Sequence, residues 1–309
     1  ARRGGNVSTD VTTRFLDMQA LAALEHMRFT TRHRIEGTYS GRHKSRQKGG
    51  SGEFVDYREY SSGEDLRHLD WKVLARSGKA YIRLFQEETN LVCTLAIDAS
   101  RSMAFGAEDG DSNRGSKLEY AQHLATALSH IISRGQDQVG LAVLTHRLAE
   151  LVEPASTCSH VACSHAAIER IPTSPVTKMA PALRTLFERS RARGVLLLMS
   201  DFLFDDLDDV FAALRLFRHR QFEVVVLHLV HPGEEQLPEG AAYRFEGLEG
   251  DGRVDCSPNE IRELYRQRFE SHVGMVRTLS LATGCDYRHT STGISYLKVL
   301  GDFLIDREG

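Results

Sequence analysis

The sequence predicts an α/β fold: a mostly parallel sheet with helices on both faces, preceded by an N-terminal helix and a β extension. Two observations carry this. From residue 91 onward short strand-like runs alternate with amphipathic helical segments, and the runs are apolar throughout rather than at every second position. Strands covered by helices on both sides need apolar residues on both faces, whereas a half-exposed antiparallel sheet alternates.

Taken in order, the first helix is expected over Val11 to Met27, where Val11, Phe15, Met18, Leu21 and Ala22 form one face. A basic, Gly-rich stretch follows from Arg32 to Gly52, with Arg32, Arg34, Arg42, Lys44, Arg46 and Lys48 against the single acid Glu36. Phe54, Tyr57, Tyr60, Leu69 and Trp71 lead to a strand-like Ala80 to Phe85. The pattern here is mixed and implies no topology. Residues 1–90 are read as a helix and mixed β region packed on or extending a main domain of residues 91–309.

In that domain Leu91–Ile97 suits a buried strand. Lys117–Ser133 puts Leu118, Ala121, Leu124, Ala125, Leu128, Ile131 and Ile132 on one helical face. Val139–Thr145 is a strand paired with another near Leu148–Val152. A helix runs from about Ala180 to Ser190, and Val195–Met199 is a fully apolar strand. Leu207–Phe217 is helical and Glu223–Val230 is a strand. After a Gly-rich excursion over Pro232–Asp255, a long helix starts near Pro258. A short strand at Asp286–His289 and a terminal helix close the chain.

Composition bounds the function. Hydrophobic residues make up 41% and charged residues 26%, ordinary values for a globular chain, and the net charge of −3 gives no general attraction to nucleic acid. No run approaches the roughly 18 apolar residues of a membrane span. The start of the sequence lacks the apolar segment of a signal peptide. Five cysteines, Cys93, Cys158, Cys163, Cys256 and Cys285, form no disulfide framework, and an odd count points to a reducing, cytoplasmic location.

Ligands of open parallel sheets sit beyond the carboxyl ends of the strands. Asp98 directly follows one predicted strand, and Asp201 follows another after Ser200. Ser100 and Ser102 add hydroxyls in Asp98-Ala99-Ser100-Arg101-Ser102. Hard oxygen donors of this kind suit Mg²⁺ or Mn²⁺, and so few carboxylates leave a coordination position for an outside ligand. Either Asp alone is explained as a cap of the following loop or helix. The combination is much more specific.

Asp98-Ala99-Ser100-Arg101-Ser102 resembles the metal-ion-dependent adhesion site of von Willebrand factor type A domains. The resemblance implies Mg²⁺, with Mn²⁺ or Ca²⁺ as alternatives. It implies Ser100 and Ser102 as direct ligands, Thr177 as direct or water-mediated, and Asp98 and Asp201 as often water-mediated. Here Val176 and Lys178 flank Thr177, where the family has Gly before it and a polar residue after it. An ammonium beside a cation opposes binding. Upstream, Gly52-Glu53-Phe54, Arg58-Glu59-Tyr60, Gly63-Glu64-Asp65-Leu66-Arg67, Leu69-Asp70-Trp71-Lys72 and Ala75-Arg76 are similar to the bacterial family called domain of unknown function 58. That family is typically encoded beside MoxR-type AAA+ ATPases. The resemblance thus implies a chaperone-like assembly module that acts with such an ATPase and grips a partner's acidic residue.

Rival readings are weighed on what chemistry requires. A metal-dependent phosphatase using Asp98 as nucleophile needs a second acid nearby, where Ser100 stands instead. No serine lies in a Gly-x-Ser-x-Gly elbow. The reading is therefore no enzyme, with a hydrolase or a metal-free packing module as alternatives. Cys158, His160, Cys163 and His165 lie too close together to surround zinc and read as an incidental helix surface. The Arg32–Lys48 stretch has Tyr39 as its only aromatic and lacks a stacking platform for nucleic acid. Ser77-Gly78-Lys79-Ala80 is not a phosphate loop. Trp71, the sole tryptophan, is expected as a core or inter-segment anchor.

Overall fold

The structure is a computed structural model. It describes residues 14–16, 21–22, 24, 26–31, 53–61, 69–86, 91–107, 115–174, 178–190, 193–240, 242–248 and 252–308, with backbone alone over 53–58 and 82–86. The expected basic stretch Arg32–Lys48 and the candidate ligand Thr177 lie outside the described residues, as does much of the expected helix Val11–Met27.

The chain divides into two compact units. One holds residues 33–90, and the other holds residues 1–32 together with 91–309. Residues 1–32 therefore group with the large unit, which the sequence reading had separated from them. Phe15, Leu21, Leu24 and Phe29 are buried in the large unit's core. Thr30 is tied to the last helix: its carbonyl accepts from Arg307 Nε at 2.6 Å and its hydroxyl donates to the Arg307 carbonyl at 2.6 Å.

The smaller unit contains the antiparallel pair β1 (Glu53–Glu59) and β2 (Tyr81–Gln86), with helix α1 (Trp71–Ser77) between them in sequence. Asp70 caps α1 by accepting from the Lys72 and Val73 N–H groups at 2.9 and 3.2 Å. The cap buries Leu69 and Asp70 and leaves Trp71 at the first helical position, 60% exposed. The expectation that Trp71 is an anchor is corrected accordingly.

The large unit is organised on a six-stranded sheet. Its strands are β3 (Val92–Asp98), β4 (Gln138–Leu144), β5 (Leu148–Ala155), β6 (Val195–Ser200), β7 (Glu223–Val230) and β10 (Asp286–Ser291). Their spatial order is β10-β7-β6-β3-β4-β5. All neighbours are parallel except the edge pair β4–β5, which is antiparallel. Counting only these six strands, the order is 3-2-1-4-5-6, a doubly wound arrangement whose direction reverses between β3 and β6. The predicted fold class, a mostly parallel α/β sheet with helices on both faces, holds.

Helices cover both faces because the central strands β3, β4, β6 and β7 are buried on both. Leu197 of β6 belongs to one core and its neighbours Leu196 and Leu198 to the other, following the two-residue period of a strand. The first core includes α2 (Lys117–Arg134), α3 (Cys158–Glu169) and α8 (Tyr296–Glu308). The second includes α4 (Met179–Arg189), α5 (Leu207–His219) and the end of α7 (Pro258–Thr283). Two elements within the Gly-rich excursion were not foreseen. They are the short helix α6 (Pro232–Glu235) and a hairpin of β8 (Tyr243–Glu246) with β9 (Arg253–Cys256). No helix among the described residues is long and apolar enough to cross a membrane.

Candidate metal centre

The strand order reverses between β3 and β6, and both candidate carboxylates lie at the carboxyl ends of these strands, where ligands of such sheets usually bind. Asp98 is the last residue of β3, and Asp201 follows the last residue of β6. Both are buried, as are Ser100 and Ser102. Backbone bonds on two sides fix the intervening loop: Ala99 N–H donates to the Leu144 carbonyl at 2.8 Å, and the Ala99 carbonyl accepts from Ser174 N–H at 2.7 Å. Ser100 and Ser174 also form a parallel bridge. A 3-10 turn over Ser102–Ala104, with Met103 fully buried, anchors the loop's far end.

Within this frame Asp98 spends both oxygens on the protein. Oδ1 accepts from Ser100 N–H at 2.8 Å, and Oδ2 accepts from the Ser200 hydroxyl at 2.7 Å. Asp98 therefore shapes the loop and places negative charge beneath it. Burial pushes its carboxyl up to about 7, and the negative charge of Asp201 adds to this, against the Ser200 and Ser100 hydrogen bonds. Such a shift reports anionic groups crowded in a poorly solvated place.

Ser100 Oγ and Ser102 Oγ share a hydrogen bond of 2.9 Å. Adjacent ligands of an octahedral Mg²⁺ with bonds of 2.0–2.1 Å are separated by about 2.9 Å, so the two hydroxyls are spaced for neighbouring positions on one ion. With two buried carboxylates behind them, the donor set fits a hard divalent cation. Ser100, Ser102, Asp98 and Asp201 are thus brought together as the sequence anticipated.

Two charged residues at this centre escaped the sequence reading. Lys117, the first residue of α2, is fully buried, and its ammonium donates to Asp201 Oδ2 at 2.7 Å and also to Glu234 Oε1. Burial disfavours the charged amine, but Asp201 and Glu234 outweigh it and hold the Lys117 pKa above its usual value. The Phe105 ring lies 5.9 Å from the ammonium. One signal for Lys117 was in the sequence. Cations are disfavoured at helix N-termini, so a lysine at the first position of α2, inside the Ser116–Glu119 capping box, needed a local reason.

Glu234 sits in α6 and also accepts from His231 N–H at 2.9 Å. The His231 ring packs edge-on against Phe105 and crowds Gly106, which has φ 94°. A Cβ at Gly106 would lie 2.7 Å from that ring. On the other side, the His228 ring packs edge-on against the rings of Phe202 and His272. Phe202 is fully buried with φ 55°, a left-handed conformation rare for a bulky residue. Its N–H donates to Ser200 Oγ at 3.0 Å, so the same hydroxyl that steadies Asp98 also holds this strained turn.

The Cys/His echo is dispersed by its helix. Cys158 and Cys163 of α3 are exposed free thiols, His160 bonds the Val139 carbonyl at 2.9 Å, and His165 is buried against Ser129 Oγ at 2.7 Å. The incidental helix surface expected there is corrected for His165. Its ring faces the core because it lies on the side of α3 that packs against α2.

The chain belongs to the family described as protein of unknown function DUF58, whose model matches residues 56–276. It is 27% identical over 229 residues to uncharacterized protein Rv1480 of Mycobacterium tuberculosis, covering 72% of this chain and 69% of that protein. Among solved structures it is similar to conserved hypothetical protein BatB from Bacteroides thetaiotaomicron, at 18% identity and a TM-score of 0.46, over 71% of this chain and 99% of that one. A similar likeness, at 20% identity and a TM-score of 0.46, holds for an aerotolerance-related membrane protein from Bacteroides fragilis, over 70% and 100% of the two chains.

Proposed function

We propose that this domain is a protein-interaction module whose Asp98–Ser100–Ser102 loop, with Asp201, holds a Mg²⁺-class cation that receives an acidic side chain from a partner protein. The observation that carries the reading is the buried Ser100–Ser102 hydroxyl pair, 2.9 Å apart above two buried carboxylates at the sheet's switch point. Neutral hydroxyl ligands leave the ion with net positive charge, which favours an incoming carboxylate and gives the contact its orientation. Exposed Arg101, between the two serines, and Leu203, two residues after Asp201, offer one cationic and one apolar contact.

Asp98 supports this reading over a phosphatase mechanism. A nucleophilic carboxylate must present a free oxygen, whereas both oxygens of Asp98 accept hydrogen bonds at the base of the loop. Thr177 remains part of the proposed ligand set through the family resemblance alone. The same resemblance supplies the partner, a MoxR-type AAA+ ATPase, and the chaperone-like assembly role. The cytoplasmic location expected from the cysteine count belongs to this proposal too.

The test is capture of a co-expressed MoxR-type ATPase by the immobilised domain in Mg²⁺, after EDTA, and after Mg²⁺ is restored, with Ser100→Ala alongside. Capture lost in EDTA, regained with Mg²⁺ and absent in the variant is expected. Equal capture in every arm refutes the metal bridge.

A further inference from the structure

The site already contains a cation of its own. Lys117 reaches it from the start of α2 with a fully buried side chain, and its ammonium bonds Asp201, a carboxylate that the proposed metal also needs. A second acid, Glu234, touches the same ammonium from α6 and retains 15% side-chain exposure. The ammonium is thus shared between one acceptor inside the site and one at its edge.

We propose that Lys117 is a built-in competitor for the metal: its ammonium neutralises Asp201 when no metal is bound, and Glu234 retains it when a divalent cation takes Asp201. This deepens the metal-site reading above and rests on it. The physical basis is charge balance. Asp98 and Asp201 are both buried, and their repulsion must be offset by some cation. Lys117 supplies one positive charge from within the chain, so an incoming ion gains the difference between its own attraction and that of the ammonium it displaces. Affinity for the metal alone is thereby lowered, and a partner's carboxylate is needed to complete a tight complex.

The arrangement also links the site to α6. Glu234 Oε2 accepts from His231 N–H at 2.9 Å, and the Glu234 carbonyl accepts from the Tyr265 hydroxyl at 2.7 Å. Any change in how Glu234 holds the ammonium is felt by α6 and, through Tyr265, by the first half of α7.

The experiment is a calorimetric titration of the full chain with Mn²⁺, on wild type, Lys117→Met, Glu234→Gln and the double variant, with thermal melts with and without Mn²⁺. Lys117→Met is expected to bind Mn²⁺ about tenfold more tightly or better, because a like charge has left the site. Glu234→Gln is expected to bind several-fold more weakly, since the ammonium then has no anionic acceptor but Asp201. That weakening shrinks in the Lys117→Met background, whereas a plain loss of nearby negative charge would persist there. If Lys117→Met folds only when Mn²⁺ is present, the competition is supported. If it folds under neither condition, the Glu234→Gln affinity decides, and a Kd equal to or below wild type overturns the proposal. Wild-type binding with no tightening in a folded Lys117→Met overturns the competition and leaves the metal site standing. Absence of Mn²⁺ binding in both wild type and Lys117→Met overturns both.

Discussion

Lys117 Nζ and Asp201 Oδ2 meet at 2.7 Å although they are 84 residues apart and both buried. One is the first residue of α2, and the other follows β6. The start of α2 and the carboxyl end of β6 are therefore tied by charge, while β3 and β6 are held in parallel register from Cys93–Val195 to Ile97–Met199. This is the frame on which the serine loop is mounted, and the following outcomes are expected of it.

Ser200 joins the two halves of the centre, since its hydroxyl donates to Asp98 at 2.7 Å and accepts from Phe202 N–H at 3.0 Å. Ser200→Ala leaves a buried carboxylate oxygen and a buried N–H without that partner, at a cost of about 1–3 kcal/mol. Denaturant unfolding should show this loss. A midpoint unchanged from wild type would contradict the role given to Ser200.

Gly106 is required by both backbone and space. Its φ is 94°, and a Cβ there would meet the His231 ring at 2.7 Å. Gly106→Ala should destabilise the domain by about 1–3 kcal/mol. It should also speed hydrogen exchange at Gly233 and Glu234, because the Gly233 N–H is bonded to His231 Nδ1 at 3.1 Å. Unaltered stability together with unaltered exchange would contradict this packing.

His165 contributes to pH dependence with a definite sign. Burial, helped by the charge of His130, pulls it from 6.5 down to about 4, so the folded state favours the neutral ring. A lowered histidine gives stability that is complete above about 6.5 and is lost as pH falls toward the folded value. His228, pulled down to about 3 by burial and by His289 and His272, acts in the same direction. Asp98, raised to about 7, acts in the opposite one, and its contribution is lost as pH rises through 7. The net curve therefore mixes signs, and the informative quantity is a difference. Relative to wild type, His165→Gln should lose less stability between pH 6.5 and 5, by about 1.4 kcal/mol per pH unit. Denaturant unfolding at several pH values measures it, and parallel curves for the two proteins would contradict the assignment.

Much of the fold was legible because the sheet is buried on both faces. Runs such as Val195–Met199 and Glu223–Val230 have no polar alternation to confuse strand with surface, and their observed bounds differ from expectation by at most a residue. The hairpin Tyr243–Glu246 with Arg253–Cys256 was missed because its residues are mostly exposed and carry little apolar pattern. Trp71 misled because its size argues for burial, whereas its position one residue after the Asp70 cap turns it outward. At the site, Asp98, Ser100 and Ser102 were legible as a contiguous motif and Asp201 as a strand-end acid. Lys117 left only the oddity of a cation at a helix start, and its pairing with Glu234 left no local spacing to read, since it spans 117 residues of chain and depends on the placement of α2 and α6.

The most direct test of the central claim is isothermal titration of the chain with Mg²⁺ and Mn²⁺, for wild type and for Ser100→Ala/Ser102→Ala. Saturable metal-dependent heat in the wild type, weakened at least about tenfold in a normally folded double variant, is the expected result. No metal-dependent heat in the wild type, or heat undiminished when both hydroxyls are removed, would contradict it.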